Sequence, residues 1–209
     1  MNLISNLKTV FDYYKNTILE NKNWFRLTAA IFVVWVVTGL IISLFIPFIA
    51  EQALKNYASS IDTNIKPGFD LSVYVFTRNI TITTVSSFLG IVFGLTSIFV
   101  TYINGVVLGV VFGYIPARGF ANPLQIFLLI VPHGIFEYLG TFLAMSFGLR
   151  LGINWILEKK GKSRWEVFFE DLKKLISIYP LVFLLLLLAA LIEGTITIKV
   201  SCILGGLCN

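Results

Sequence analysis

The chain has one histidine, His133, and two cysteines, Cys202 and Cys208, both at its extreme C-terminus. No C-x-x-C pair occurs and no histidine lies near the thiols, which argues against a zinc site there. A catalytic zinc needs three protein ligands and a water, and one histidine among scattered carboxylates falls short. G-x-S-x-G and H-E-x-x-H are absent, and no serine stands at a suggestive spacing from a lysine or histidine. These absences point to a chain that is not an enzyme and carries no metal or cofactor. Charge is scarce as well, at 13% of the 209 residues. A compact soluble globule must show water a polar exterior, so a soluble domain is excluded.

What fills the sequence is apolar. Hydrophobic residues make up 57% of it, with a mean hydropathy of +0.87, and several runs can cross a hydrocarbon core of about 30 Å. The expected fold class is all-α: a polytopic helical bundle of about five spans with amphipathic interfacial helices. The first run, Leu27 to Ile49, is too long for a signal-peptide core and precedes no small-residue cleavage site, so it is expected to be retained. The net charge of +5 comes from basic residues beside the runs, where orientation rather than nucleic acid accounts for them. Residues 1–26 read as a cytoplasmic interfacial helix, 27–198 as the transmembrane domain, and 199–209 as an outer tail.

Leu3, Leu7, Val10, Tyr14 and Ile18 recur at helical spacing, with Trp24 and Arg26 marking the interface before the first span. Beyond that span Leu54, Tyr57 and Ile61 extend a helical stripe, Pro67-Gly68 breaks it, and Asp70 is placed to cap a short helix from Leu71. Phe76 to Ile115 is either one long helix or a hairpin turning near Gly94-Leu95-Thr96. Lysine and arginine bias decides: the N-terminal segment and residues 150–174 are both basic and should share the cytoplasmic side, which requires an even number of crossings. The hairpin supplies it, with arms of about 17 to 20 residues. Gly105, Gly109 and Gly113 form a small-residue ridge that permits close helix approach, including pairing of two copies as a homodimer. Pro116 to Pro123 then make an outer loop holding Arg118. The block from Leu124 to Leu151 is interrupted by Pro132-His133-Gly134, which predicts a broken or kinked span with the break facing the bundle interior. Trp165, Phe168, Phe169, Leu172 and Ile176 predict a second interfacial helix, and the last span runs from about Ile178 to Ile196. The plasma membrane is the expected location, with the N-terminus cytoplasmic and the C-terminus outside.

Five polar residues fall within the apolar runs: Asn79, Asn104, His133, Glu137 and Glu193. His133 and Glu137 are one helical turn apart and share a face. A carboxylate at membrane depth costs a few kcal/mol, so these groups should pair in one buried polar cluster. Three uses compete: internal glue between helices, favoured here; a site for a transported ion or solute; and metal-dependent catalysis, the weakest. Cys202 and Cys208, with Gly205 and Gly206 between them, either close a short disulfide loop on an oxidising outer side or remain two packed thiols.

The segments "FTRNITI", "SSFLGIVFGLTS", "YINGVVLG" and "PHGIFE" occur in order, followed by the glutamate of "LAALIEGTIT". Over residues 70 to 198 this pattern resembles the stage II sporulation protein M family of bacterial and archaeal integral membrane proteins. The positions that carry the resemblance are Asn79, Asn104, Gly105, Pro132, His133, Gly134, Glu137 and Glu193. It implies a non-enzymatic scaffold, since the family's namesake localises cell-wall hydrolases during engulfment in spore formers. The implied partners are the bilayer and other membrane or cell-envelope proteins. A channel or transporter is the alternative role.

Overall fold

The structure, a computed structural model, describes residues 3–59, 65–157 and 161–204. Among these, helices joined by short turns make up the architecture, with no strand. The all-α bundle follows directly from the apolar runs.

α1 (Leu3–Glu20) and α2 (Lys22–Phe45) are separated by Asn21 alone. Tyr14 and Ile18 pack toward the main core, whereas Phe11 and Tyr13 stay exposed, the division of an amphipathic interfacial helix. Lys174 Nζ donates to Glu20 Oε2 at 2.6 Å, and this bond holds the Glu20 carboxyl below its ordinary range. α2 ends before its apolar run does. Proline restricts the residue preceding it, so Ile46 leaves the helix at φ −134° and Pro47 opens α3 (Pro47–Ser59). Leu54 and Tyr57 lie on α3; Ile61 lies outside the described residues.

α4 (Phe69–Phe88) joins the expected short helix and the first hairpin arm into one element. Its N-cap is Gly68, at φ 101°, and no side-chain capping bond forms there. Asp70 instead sits in the first turn, where a negative charge complements the helix dipole. A 3-10 turn at Leu89–Ile91 and the left-handed Gly94 (φ 71°) reverse the chain into α5 (Leu95–Ala117). The hairpin turns where expected. Pro116 falls inside the last turn of α5, which shortens the following loop.

α6 (Pro123–Asn154) opens with a reciprocal capping box between Asn122 and Gln125, with proline just inside the start. It then runs without interruption through Pro132, His133 and Gly134. The break expected at Pro132–Gly134 is therefore absent. One proline removes one helical hydrogen bond, and here neighbouring helices on several sides hold the remaining turns in place. The irregularity falls on the last span instead. α7 (Arg164–Ile192), capped by Ser163 and Glu166 and continuous through Pro180, merges the expected interfacial helix with that span. A π-turn at Glu193–Thr197 then leads into α8 (Ile198–Ile203).

Among the described residues, α2, α5, α6 and the continuous rod Arg164–Ile203 are the four helices long and apolar enough to cross a membrane. α4 has the length but, with Asp70, Arg78 and Asn79 in its sequence, is not one of them. The main core lies between α6 and α7, where Met145, Phe147, Leu151, Leu175, Ile178 and Leu186 are fully buried.

Glycines set two of the close contacts in the bundle. A Cβ on Gly109 would overlap the Val36 carbonyl oxygen, and one on Gly113 would lie 2.6 Å from Ser43 Cβ. Gly105 likewise faces Trp35 and Phe32. The ridge on α5 is thus filled by α2 of the same chain and is not free to pair two copies. Gly105 does not bring α5 toward α6, because α2 presents the complementary flat patch at Gly39. At the hairpin tip, Gly90 and Gly94 lie directly on Gly148 and Gly152 of α6.

Candidate functional site

α4 and α5 join at their tip but otherwise take different partners: α4 lies on α7, and α5 on α2. The arms enclose a cleft whose floor is α6. Arg78 and Asn79 enter it from α4, Asn104 from α5, His133 and Glu137 from α6, and Glu193 from the π-turn. These side chains line a cavity of about 330 Å3, together with the rings of Tyr57, Tyr74 and Tyr138. A second cavity of about 200 Å3 adjoins it, sharing Arg78, Asn79, Asn104 and Glu137 and reaching Thr83 and Thr141. Ile82 and Ile103 on this lining are exposed on the helix surfaces.

His133, Glu137 and Glu193 each offer one ligating atom, and all three atoms lie within 4.8 Å of one another. His133 Nδ1 is 3.1 Å from Thr197 Oγ1. The Asn79 side chain hydrogen-bonds to the Glu137 carboxylate, and the Arg78 guanidinium acts electrostatically on both glutamates. Arg78 Cζ also lies 5.5 Å from the centre of the Tyr57 ring, within cation–π range. Asn104 donates to the Val100 carbonyl oxygen of its own helix at 2.9 Å, and so contributes a wall rather than a ligand.

The five polar residues singled out in the sequence, Asn79, Asn104, His133, Glu137 and Glu193, therefore border one cavity. The carboxylates that look scattered along the chain meet where Glu193 opens the π-turn of the last helix, opposite Glu137. Both Glu193 and Thr197, the first and last residues of this turn, face the side of α6 that carries His133 and Glu137. Gly105 and Gly109 lie away from the cavity, against α2. Pro132 is within α6, and a Cβ on Gly134 would meet nothing closer than 3.4 Å, so no close packing requires that glycine. Cys202 is a half-buried free thiol on α8; Cys208, and with it the disulfide expectation, lies outside the described residues.

Sequence reasoning missed Arg78, although it stands beside Asn79 in "FTRNITI". It also missed a second polar group at the other end of α6. Arg150 Nε donates to Asp171 Oδ1 at 2.8 Å, and Asn154 Nδ2 to Asp171 Oδ2 at 2.7 Å. Asn21 accepts from Arg150 at 3.5 Å and donates to Ser146 Oγ at 2.9 Å. All five residues are buried. In the sequence Arg150 reads as one more basic residue flanking a span, and nothing local marks Asp171 as its partner.

The stage II sporulation protein M family model matches residues 28–198. Two similar proteins come from Methanocaldococcus jannaschii. Uncharacterized protein MJ0793 is 29% identical over 157 residues, covering 73% of this chain and 82% of its own. Uncharacterized protein MJ0706 is 25% identical over 217 residues, covering 96% of this chain and 94% of its own. No solved structure matches. The matched segment runs from α2 through the π-turn and contains every residue of the cleft, and on it the chain belongs to the stage II sporulation protein M family.

Proposed function

We propose that this protein is a non-enzymatic integral membrane protein whose α4–α5 cleft binds an ion or small polar solute for passage across the membrane. The contrast between its two polar groups carries the proposal. The Arg150–Asp171 group is closed: buried donors and acceptors meet one another. Glue between helices has that form. The Arg78–Glu137–Glu193 group instead surrounds open space of about 330 Å3. Ionisable groups at membrane depth are costly and mark ion or solute paths by default, and a cavity among them is something structural pairing does not need.

Flux from proteoliposomes tests this. Transport of an ion or polar solute should be present in the parent and lost in Glu137→Gln, which keeps hydrogen-bonding capacity while removing the charge. The variant's melting temperature should stay near that of the parent. A panel of ions and solutes showing no flux in the parent, or flux unchanged in Glu137→Gln, overturns the proposal.

A second reading, a scaffold for other membrane proteins or a second copy, draws on an apolar groove of about 500 Å3. Phe32, Leu108, Phe127, Val131 and Phe142 are among the side chains from α2, α5 and α6 that line it. Co-purification that is lost on Phe127→Glu while flux is absent would favour it. On either reading we place the N-terminus and the α6–α7 connection on the cytoplasmic side, with the α3–α4 and α5–α6 connections outside. Basic residues concentrate on the first of these sides.

A further inference from the structure

We propose that His133, Glu137 and Glu193 form a site for one divalent transition-metal cation. This deepens the reading of the cleft as an ion site and rests on it. One imidazole and two carboxylates converge from two helices, with their ligating atoms within 4.8 Å of one another. Bonds of about 2.1 Å from a central ion to nitrogen or oxygen put tetrahedral ligands about 3.4 Å apart. Rotation of the two glutamate side chains about their χ angles closes that difference. His133 and Glu137 are four residues apart on one helix face, the spacing that lets two side chains grip one ion.

The surroundings orient the ligands as metal sites require. With His133 Nδ1 at Thr197 Oγ1, Nε2 remains for the ion, and an outer hydrogen bond of this kind fixes the imidazole tautomer. The Asn79 side chain bonds to Glu137 in the same outer position. An imidazole nitrogen selects zinc-, cobalt- or nickel-like cations over magnesium and calcium, which prefer oxygen alone. The cavity leaves room for water or an exchangeable ligand on the ion. Arg78 shares the cavity and acts on both carboxylates. It therefore competes with an entering cation for the same two negative charges.

The test is titration of the full-length protein in detergent, freed of any purification tag, with Co2+ followed by its visible absorption. One Co2+ should bind per chain. His133→Ala and Glu193→Gln should each weaken binding by about tenfold or more, and Thr197→Val by about tenfold. Arg78→Gln should tighten it, a gain that misfolding cannot produce. Stoichiometry should persist in Cys202→Ser/Cys208→Ser. No saturable binding, binding unchanged in both His133→Ala and Glu193→Gln, or binding lost only with the cysteines overturns the metal site. Flux of another ion or solute that depends on Glu137, without Co2+ binding, sinks the metal site and spares the transport reading. Saturable Co2+ binding by these residues with no flux of any ion does the reverse.

Discussion

At the scale of single residues, Asp171 is where a substitution should cost most. Its carboxylate receives both Arg150 and Asn154 and is 2% exposed. Removing one partner of a buried pair leaves the other charged and uncompensated, so Asp171→Leu should destabilise by about 3–5 kcal/mol. Replacing both charges, as in Arg150→Met/Asp171→Leu, should recover most of that loss, because well-packed apolar residues can replace a buried pair at little cost. Thermal melting in detergent of the two single variants and the double variant reads this directly, and a double variant no better than the singles would refute it. The difference between what the sequence disclosed and what it hid is chemical. His133 and Glu137 are conspicuous because they interrupt an apolar run at helical spacing. Arg150 and Asp171 sit at the ends of such runs, where charge is ordinary, and only the packing of α6 on α7 reveals that they are buried together.

At the scale of elements, glycine contacts decide which helices can approach. A Cβ on Gly152 would overlap the Gly90 carbonyl oxygen, a backbone atom that cannot move aside alone. Gly152→Ala should therefore destabilise by about 1–3 kcal/mol, the cost of overpacking. Gly134→Ala, whose new methyl would meet the Tyr138 ring at 3.4 Å and Ile130 Cγ2 at 3.6 Å, ordinary contact distances, should be neutral or slightly stabilising, since alanine is the better helix former. Melting temperatures of the pair check the contrast, and equal losses would contradict it. Proline and π-turn behaved oppositely to their sequence signals. Pro132 announces a break that neighbouring helices suppress, whereas "EGTIT" carries no local mark of the π-turn it forms. Helix existence is legible because period and length act locally, and the Gly94 hairpin because basic segments at both ends of the bundle call for an even number of crossings between them. Which face meets which was not, since that depends on pairs of glycines far apart in sequence. α1 offers a pH-dependent contact: Lys174 depresses the Glu20 carboxyl, so the contact helps hold α1 above the ordinary carboxylate range and is lost as pH falls through the depressed value. Hydrogen exchange of α1 amides should show this loss in the parent and not in Lys174→Ala.

For the whole molecule, the topology proposed above, with α4 as a fifth crossing element, puts residues 66 and 118 on one side of the bilayer and residue 162 on the other. Single cysteines at these positions, in a background lacking Cys202 and Cys208, should label from opposite sides with an impermeant maleimide. Labelling of 66 and 162 from the same side would remove α4 as a crossing element. That element has a further consequence for how the chain reaches its membrane during synthesis. α4 is a long helix of the bundle without the apolarity of its four neighbours. The two glutamates on which its Arg78 acts, and with them the Glu137 partner of Asn79, lie on α6 and the π-turn, which are translated after it. α4 should therefore not remain inserted on its own as it leaves the ribosome; it enters with α5 or waits for α6. A chain truncated after residue 93 and released from the ribosome should leave α4 accessible to a glycosylation or protease probe. One truncated after residue 157 and released should protect it, so the cleft is settled late, by helices still to come when its first wall is made.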